Sequence, residues 1–240
     1  MRGLDVPIDA GHGAPVALLH GFGLRPATYR GLVDLLAPRC RVVVPDLFDL
    51  RGPWTYRRVL DAFTATLDRL GLDRASLLGH SFGGGIALAF ASQTPERVVE
   101  LAFSDTLAAS REWRLATEVL RHPLGLLRLA TPTATSAFLR TWVDHPRQLT
   151  DAAWWGFTSG RESDAQTVAR AGIPAHVLWA NRDSILSQAD GRRFARDVGA
   201  SFTVACPGSG QVLDHDWMFQ QPAVFVEHLD ALGLVALSPP

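Results

Sequence analysis

Short apolar runs separated by longer stretches of helical periodicity narrow the folds open to this chain more than any other feature. The runs cover residues 16–20, 41–46, 76–79, 99–104, 175–180 and 201–206, and each is bounded by Gly, Pro, Asp or His. Strands that short and that continuously apolar are buried on both faces. Between them, residues 26–36 open on a proline, which a first helical turn tolerates. Residues 56–70 place Val59, Leu60, Phe63, Leu67 and Leu70 at helical spacing, with Gly71 to close the helix. Residues 82–93 are small and apolar, and 187–198 and 221–232 are amphipathic. Strand and helix in repeated alternation imply an α/β fold, a mainly parallel sheet covered by helices on both faces. From about 107 to 168 the pattern is helical without strands and holds Trp113, Trp142, Trp154, Trp155, Phe138 and Phe157. That segment is expected to be an inserted cap over the sheet's C-terminal edge, with 1–106 and 169–240 forming the core of a single folding unit.

Composition removes several classes of chemistry. The 240 residues suffice for one α/β domain with a substantial core. The net charge of −1 gives no electrostatic reason to expect nucleic acid or an anionic membrane as partner. All 23 basic side chains other than histidine are arginine. Without a lysine amine there is no Schiff base, no Ser-Lys dyad and no phosphate-binding loop. The two cysteines, Cys40 and Cys206, are too few for a disulfide framework or a structural zinc site and are expected to be buried small hydrophobes. The N-terminus has no apolar core of a signal peptide, and no run of about 20 apolar residues spans a membrane. A cytoplasmic protein, monomer or homodimer, is expected.

The strongest chemical signal is Gly79-His80-Ser81-Phe82-Gly83, followed by Gly84 and Gly85. It fits G-x-S-x-G, with an apolar strand leading in and a helix leading out. A nucleophile on so sharp a turn has strained backbone angles and needs small neighbours. The serine then stands at a helix N-terminus, where backbone N–H groups face developing negative charge. His20-Gly21-Phe22-Gly23 follows the strand at 16–19. A tetrahedral intermediate needs two donors on its oxyanion, and the amides of Phe22 and Phe82 are placed to supply them. His20 itself is expected to buttress this loop by hydrogen bonds. Asp183 follows the strand at 176–180, and His215 follows the last strand. The order Ser81, Asp183, His215 lets the imidazole take the serine proton while the carboxylate fixes its tautomer. Asp105, after the strand at 99–104, is a rival acid. Asp216 is a plausible cap for the last helix. An unperturbed His215 would titrate at about 6.5. No His/Cys/Asp/Glu cluster has metal-ligand spacing, so neither a metal nor a cofactor is expected.

These motifs, together with Val44-Pro45-Asp46 and His215-Asp216-Trp217, resemble the α/β-hydrolase superfamily. The resemblance is to its branch of small esterases, lactonases, carbon–carbon bond hydrolases and haloperoxidase-like enzymes, and it covers almost the whole chain. It implies the α/β-hydrolase fold, a cap, and hydrolysis through an acyl-enzyme without a cofactor. Serine at the nucleophile position sets the chain apart from the dehalogenase and epoxide-hydrolase branches, which use aspartate there. The segment after Pro45-Asp46 departs from the family's Gly-rich pattern, running Leu47-Phe48-Asp49-Leu50-Arg51-Gly52-Pro53-Trp54. Asp214 stands where a glycine often precedes the catalytic histidine. The N-terminal stretch is short, so the leading antiparallel strand is expected to be missing or reduced.

The expected substrate is a small molecule with an apolar acyl or aromatic part, lined by Trp113, Trp142, Trp154, Trp155 and Phe157. A carboxylic ester hydrolase leads. A carbon–carbon bond hydrolase of ring-opened aromatic products is the enzymatic alternative. A ligand-binding sensor that keeps the fold is the third, although a pure binder has no need of a nucleophile.

Overall fold

The computed structural model describes residues 2–109, 131–158, 161–206 and 208–234. Seven strands form one sheet: β1 (Ile8–Ala10), β2 (Pro15–Leu19), β3 (Arg41–Val44), β4 (Ala75–His80), β5 (Val98–Ser104), β6 (Ala175–Trp179) and β7 (Ser201–Val204). Their order across the sheet is β1-β3-β2-β4-β5-β6-β7, and β1 alone is antiparallel to its neighbour. The leading antiparallel strand, expected to be missing or reduced, is present at three residues.

The helices described are α1 (Arg30–Leu36), α2 (Tyr56–Arg69), α3 (Phe82–Gln93), α4 (Pro132–Asp144), α5 (Pro146–Thr158), α6 (Glu162–Ala171), α7 (Gln188–Val198), α8 (Trp217–Gln220) and α9 (Pro222–Leu232). Because side chains alternate along a strand, the sheet splits the core in two. Ala17, Leu19, Leu77, Leu101, Phe103, Val177 and Trp179 face the apolar sides of α2, α3, α6 and α7. Val16, Leu18, Leu78, Ala102, Leu178 and Ala180 face α1, α8 and α9, where Leu36, Trp217, Phe225 and Leu229 are buried. Burial on both faces explains why these strands read as unbroken apolar runs rather than alternating ones.

Register aligns the ends of the strands. Leu19 pairs with Gly79, His80 with Ser104, and Ser104 with Leu178. The loops carrying His20, Ser81, Asp105 and Asp183 therefore leave one edge together, the C-terminal edge where ligands bind in open α/β sheets. α4 and α5 connect to that edge through specific polar contacts. Arg25, in the loop after β2, pairs with Asp144 at the end of α4. On α5, Asp151 accepts from the Trp54 amide (2.9 Å), and the Gln148 side chain donates to the Leu50 carbonyl (2.8 Å). α6 packs on α3 and α7. Among the described residues no helix is long and apolar enough to cross a membrane. Cys40 is buried as expected, but Cys206 is exposed, because β7 lies at the sheet edge and the chain has already left it at that residue.

Candidate active site

Ser81 is the residue between β4 and α3, with φ 50° and ψ −116°. A non-glycine residue at positive φ is costly and persists only where its surroundings over-determine it. Here they do. The Ser81 N–H donates to the Ser104 carbonyl (2.9 Å), and the Ser81 carbonyl accepts from the Gly84 amide (3.1 Å) and the Leu107 amide (3.0 Å). Glycine is required on the far side of the turn. A Cβ at Gly83 would stand 2.0 Å from the Leu19 carbonyl oxygen, and one at Gly84 would stand 2.1 Å from Thr106 Oγ1.

The hydroxyl lifted by this turn meets His215 Nε2 at 2.9 Å. His215 Nδ1 lies 3.0 Å from Asp183 Oδ2. Asp183 Oδ1 accepts from the amides of Ile185 (2.8 Å) and Leu186 (2.9 Å). One carboxylate thus ties its own turn with one oxygen and faces the imidazole with the other. Burial alone would raise the Asp183 carboxyl, but His215 beside it and the two amides bring it below the usual carboxylate range. Burial likewise pulls His215 down, yet Asp183, with Asp216 and Asp105 behind it, pushes the imidazole up to about 9.

Asp105, the rival acid, is close but engaged elsewhere. Its Oδ1 accepts from the Ala180 amide (2.8 Å), and its Oδ2 accepts from Trp217 Nε1 (2.7 Å) and Ser104 Oγ (2.9 Å). Burial and the neighbouring Asp183 raise its carboxyl well above the ordinary value. Asp216 stands at the start of α8 but caps no amide with its side chain, contrary to expectation. The α8 turn is closed instead by its backbone carbonyl, which accepts from Phe219 and Gln220.

The loop after β2 is held from several sides. Leu47 N–H donates to His20 Nε2 (2.9 Å), so the proton of the neutral ring is on Nδ1, which faces the Gly21 carbonyl at 3.0 Å. That carbonyl belongs to the same planar trans peptide as the Phe22 N–H and points the opposite way. Fixing one therefore fixes the other, which is the buttressing expected of His20. The Phe22 and Phe82 rings meet edge to face at 5.7 Å, so the loop after β2 packs on the first residue of α3.

Phe48 stacks on Phe82 (6.1 Å, 14°), and Trp54 packs on it at 5.4 Å while donating Nε1–H to the Leu47 carbonyl (2.8 Å). The departure from the Gly-rich pattern after Pro45-Asp46 thus places aromatic rings around Phe82, the residue after Ser81. Sequence reasoning passed over Phe48, Trp54 and Tyr29. Phe48 and Trp54 follow β3 and Tyr29 ends the 3-10 turn Pro26–Tyr29 after β2, and no motif in the sequence around them sets them apart. Of the aromatic residues expected as lining, Trp142 and Trp154 are exposed, at 50% and 64%. Trp155 is partly buried, edge-on to Tyr56 at 5.8 Å. Phe157 is on α5, and Trp113 lies outside the described residues. Phe138 of α4 reaches the loop after β2, with its ring 6.4 Å from Phe22.

His80, His215 and Asp216 offer potential metal-ligand atoms within 4.8 Å of one another. The donor set does not suit an ion. Both ring nitrogens of His80 and both of His215 already serve in hydrogen bonds to Tyr29, the His215 carbonyl, Asp183 and Ser81.

This sheet order, with a strained serine after its central strand and an acid and a histidine in later loops, is the architecture of an α/β hydrolase. Residues 16–228 match the model of the alpha/beta hydrolase family, and the chain belongs to that family. An uncharacterized protein of Mycobacterium tuberculosis is 30% identical over 266 residues, covering 91% of this chain and 74% of that protein. A 2-hydroxymuconate semialdehyde hydrolase of a Pseudomonas species is 36% identical over 112 residues, covering 42% of this chain and 40% of the relative. The solved structure of a thermophilic esterase from Thermogutta terrifontis superposes with a TM-score of 0.69 at 22% identity, covering 98% of this chain and 94% of that one. At that identity the likeness shows the fold.

Proposed function

We propose that the protein hydrolyses a carboxylic ester or related acyl substrate with an apolar portion, through an acyl-enzyme on Ser81. The observation that carries this reading is the unbroken chain from Ser81 Oγ through His215 to Asp183, on a backbone turn strained at the serine. Ser81 Oγ attacks the acyl carbon and its proton passes to His215 Nε2. Negative charge gathers on the former carbonyl oxygen, which the Phe22 and Phe82 amides receive. Collapse expels the leaving group, which takes the proton from His215. A water then repeats the attack, giving its proton to His215, and Ser81 is restored as the acid product leaves. Asp183 holds the imidazole with Nε2 toward the serine throughout. The rings of Phe22 and Phe138, backed by the buried Phe48 and Phe82, give the apolar part of the substrate a surface.

Carbon–carbon bond cleavage of a ring-opened aromatic product is the second reading, favoured by the likeness to a 2-hydroxymuconate semialdehyde hydrolase. Labelling with a fluorophosphonate, read by intact and peptide mass, tests both. A single adduct on Ser81, with aryl-ester turnover lost in Ser81→Ala, supports the acyl-enzyme. Slow ester turnover beside rapid bleaching of a dienoate substrate selects the second reading. Folded protein that takes no adduct sinks both and leaves a ligand-binding role.

A further inference from the structure

Behind the triad lies a second, fully buried pair, Tyr29 and His80, both 0% exposed. Gly21 N–H donates to the Tyr29 hydroxyl at 2.9 Å. The hydroxyl lies 2.7 Å from His80 Nδ1, and His80 Nε2 lies 3.0 Å from the backbone carbonyl of His215. A carbonyl only accepts, so His80 Nε2 carries the proton and Nδ1 is left to accept from the Tyr29 hydroxyl. Every donor and acceptor in the line is then used once, and the direction is fixed from the Gly21 amide to the His215 carbonyl. Space around the line is tight, since a Cβ at Gly21 would sit 3.0 Å from His80 Nδ1. Edge contacts of both rings with Phe219 (5.5 and 6.1 Å) close its outer side.

We infer that Tyr29 and His80 form a positioning relay that locks the Gly21-Phe22 loop, the serine turn and the His215 loop into one rigid body. The inference rests on the hydrolase reading above. His80 precedes Ser81, Gly21 precedes Phe22, and the relay ends on the main chain of His215. It therefore reaches the nucleophile, the first oxyanion donor and the base without touching a reacting atom. Its grip on His215 is through the backbone, so the ring stays free for Asp183 to orient. The relay also requires a neutral His80. A second proton, on Nδ1, would leave the buried Tyr29 hydrogen without an acceptor. Burial and the nearby His215 lower His80 to about 3, which agrees.

Tyr29→Phe removes one oxygen and keeps the ring. The expected result is a kcat for aryl esters reduced by at least about ten-fold, toward the ~100-fold that a misplacement of about 1 Å costs. KM and the pH midpoint should be unchanged, since neither substrate contacts nor the base are altered. His80→Gln, whose amide can still donate to the His215 carbonyl, should keep several-fold more kcat than His80→Leu. On the wild-type protein, nitrogen-15 spectra of the histidine rings should show His80 as the neutral Nε2–H form from pH 5 to 8. A folded Tyr29→Phe with wild-type kcat overturns the relay, and so does a His80 that titrates in that range or carries its proton on Nδ1. A wild type that takes no fluorophosphonate removes the hydrolase reading itself. A labelled wild type beside an equally fast Tyr29→Phe removes the relay alone.

Discussion

His215 is buried, and burial by itself would make its imidazolium hard to form. Asp183 at 3.0 Å reverses that balance. A base must be neutral to accept the serine proton, so kcat/KM for a neutral ester should rise with pH. The raised imidazole puts the midpoint of that rise above the unperturbed value of about 6.5, toward about 9. A flat profile from pH 5 to 8, or a midpoint under 6.5, would count against His215 as the base. The two nearby acids should separate cleanly. Asp183→Asn removes the group that sets the imidazole tautomer and should lower kcat by roughly 10³–10⁴-fold. Asp105→Asn turns one accepting oxygen into a donor facing the Trp217 or Ala180 N–H. It should cost stability, about 1–3 kcal/mol in a denaturant titration, with a far smaller loss of kcat. Equal loss of kcat in the two variants would make Asp105 a partner in the chemistry.

At the scale of elements, the turn from β4 to α3 depends on glycines that admit no side chain. Gly83→Ala forces a Cβ against the Leu19 backbone, which the sheet holds in place. That variant is expected to be strongly destabilised, by several kcal/mol, as overpacked sites at special backbone positions are. Gly208→Ala, where an added Cβ meets nothing within 4 Å, should fall within about 0.5 kcal/mol of wild type. Comparison of their thermal midpoints checks both. The same turn was legible in sequence because strand, small residues, serine and helix all occupy adjacent positions. Strands β2 to β6 were legible too, since burial on both faces writes a continuous apolar run, whereas β7, at the sheet edge, is only partly buried, contrary to expectation. Short β1 was less visible, as three residues carry little pattern. Tyr29, Phe48 and Trp54 were illegible for a different reason. Their partners lie in distant segments that only the register of β2, β3 and β4 brings together, and the local pattern around such an aromatic residue does not announce its neighbours. Trp142 and Trp154, expected as lining on the abundance of tryptophan alone, are 50% and 64% exposed.

Across the whole molecule, buried ionisable groups make stability depend on pH in opposite senses. His80 has a folded pKa of about 3 against an unfolded value near 6.5. Below pH 6.5 the unfolded chain takes a proton that the folded one refuses, so this group's contribution falls as pH drops toward 3. Asp216 acts the other way. Burial raises it to about 6, against the pull of His215, so the folded chain holds a proton that the unfolded one has released. Its contribution therefore grows as pH falls from 6 toward 4. His215 is raised and Asp183 lowered, so their pairing contributes fully only between the unfolded acid and histidine values. It is lost above about 9 and again as Asp183 protonates. Because these terms overlap, the wild-type curve alone assigns none of them, but its difference from a variant does. Between pH 7.5 and 5, His80 crosses about 1.5 units below its unfolded value, worth roughly 2 kcal/mol. Denaturant titrations at the two pH values should therefore show wild type losing about 2 kcal/mol more than His80→Gln on acidification, whatever the absolute stabilities. Parallel curves would mean that His80 takes up its proton in the folded state. The neutral tautomer, on which the hydrogen bonds to Tyr29 and the His215 carbonyl depend, would then not be the one present below pH 6.5.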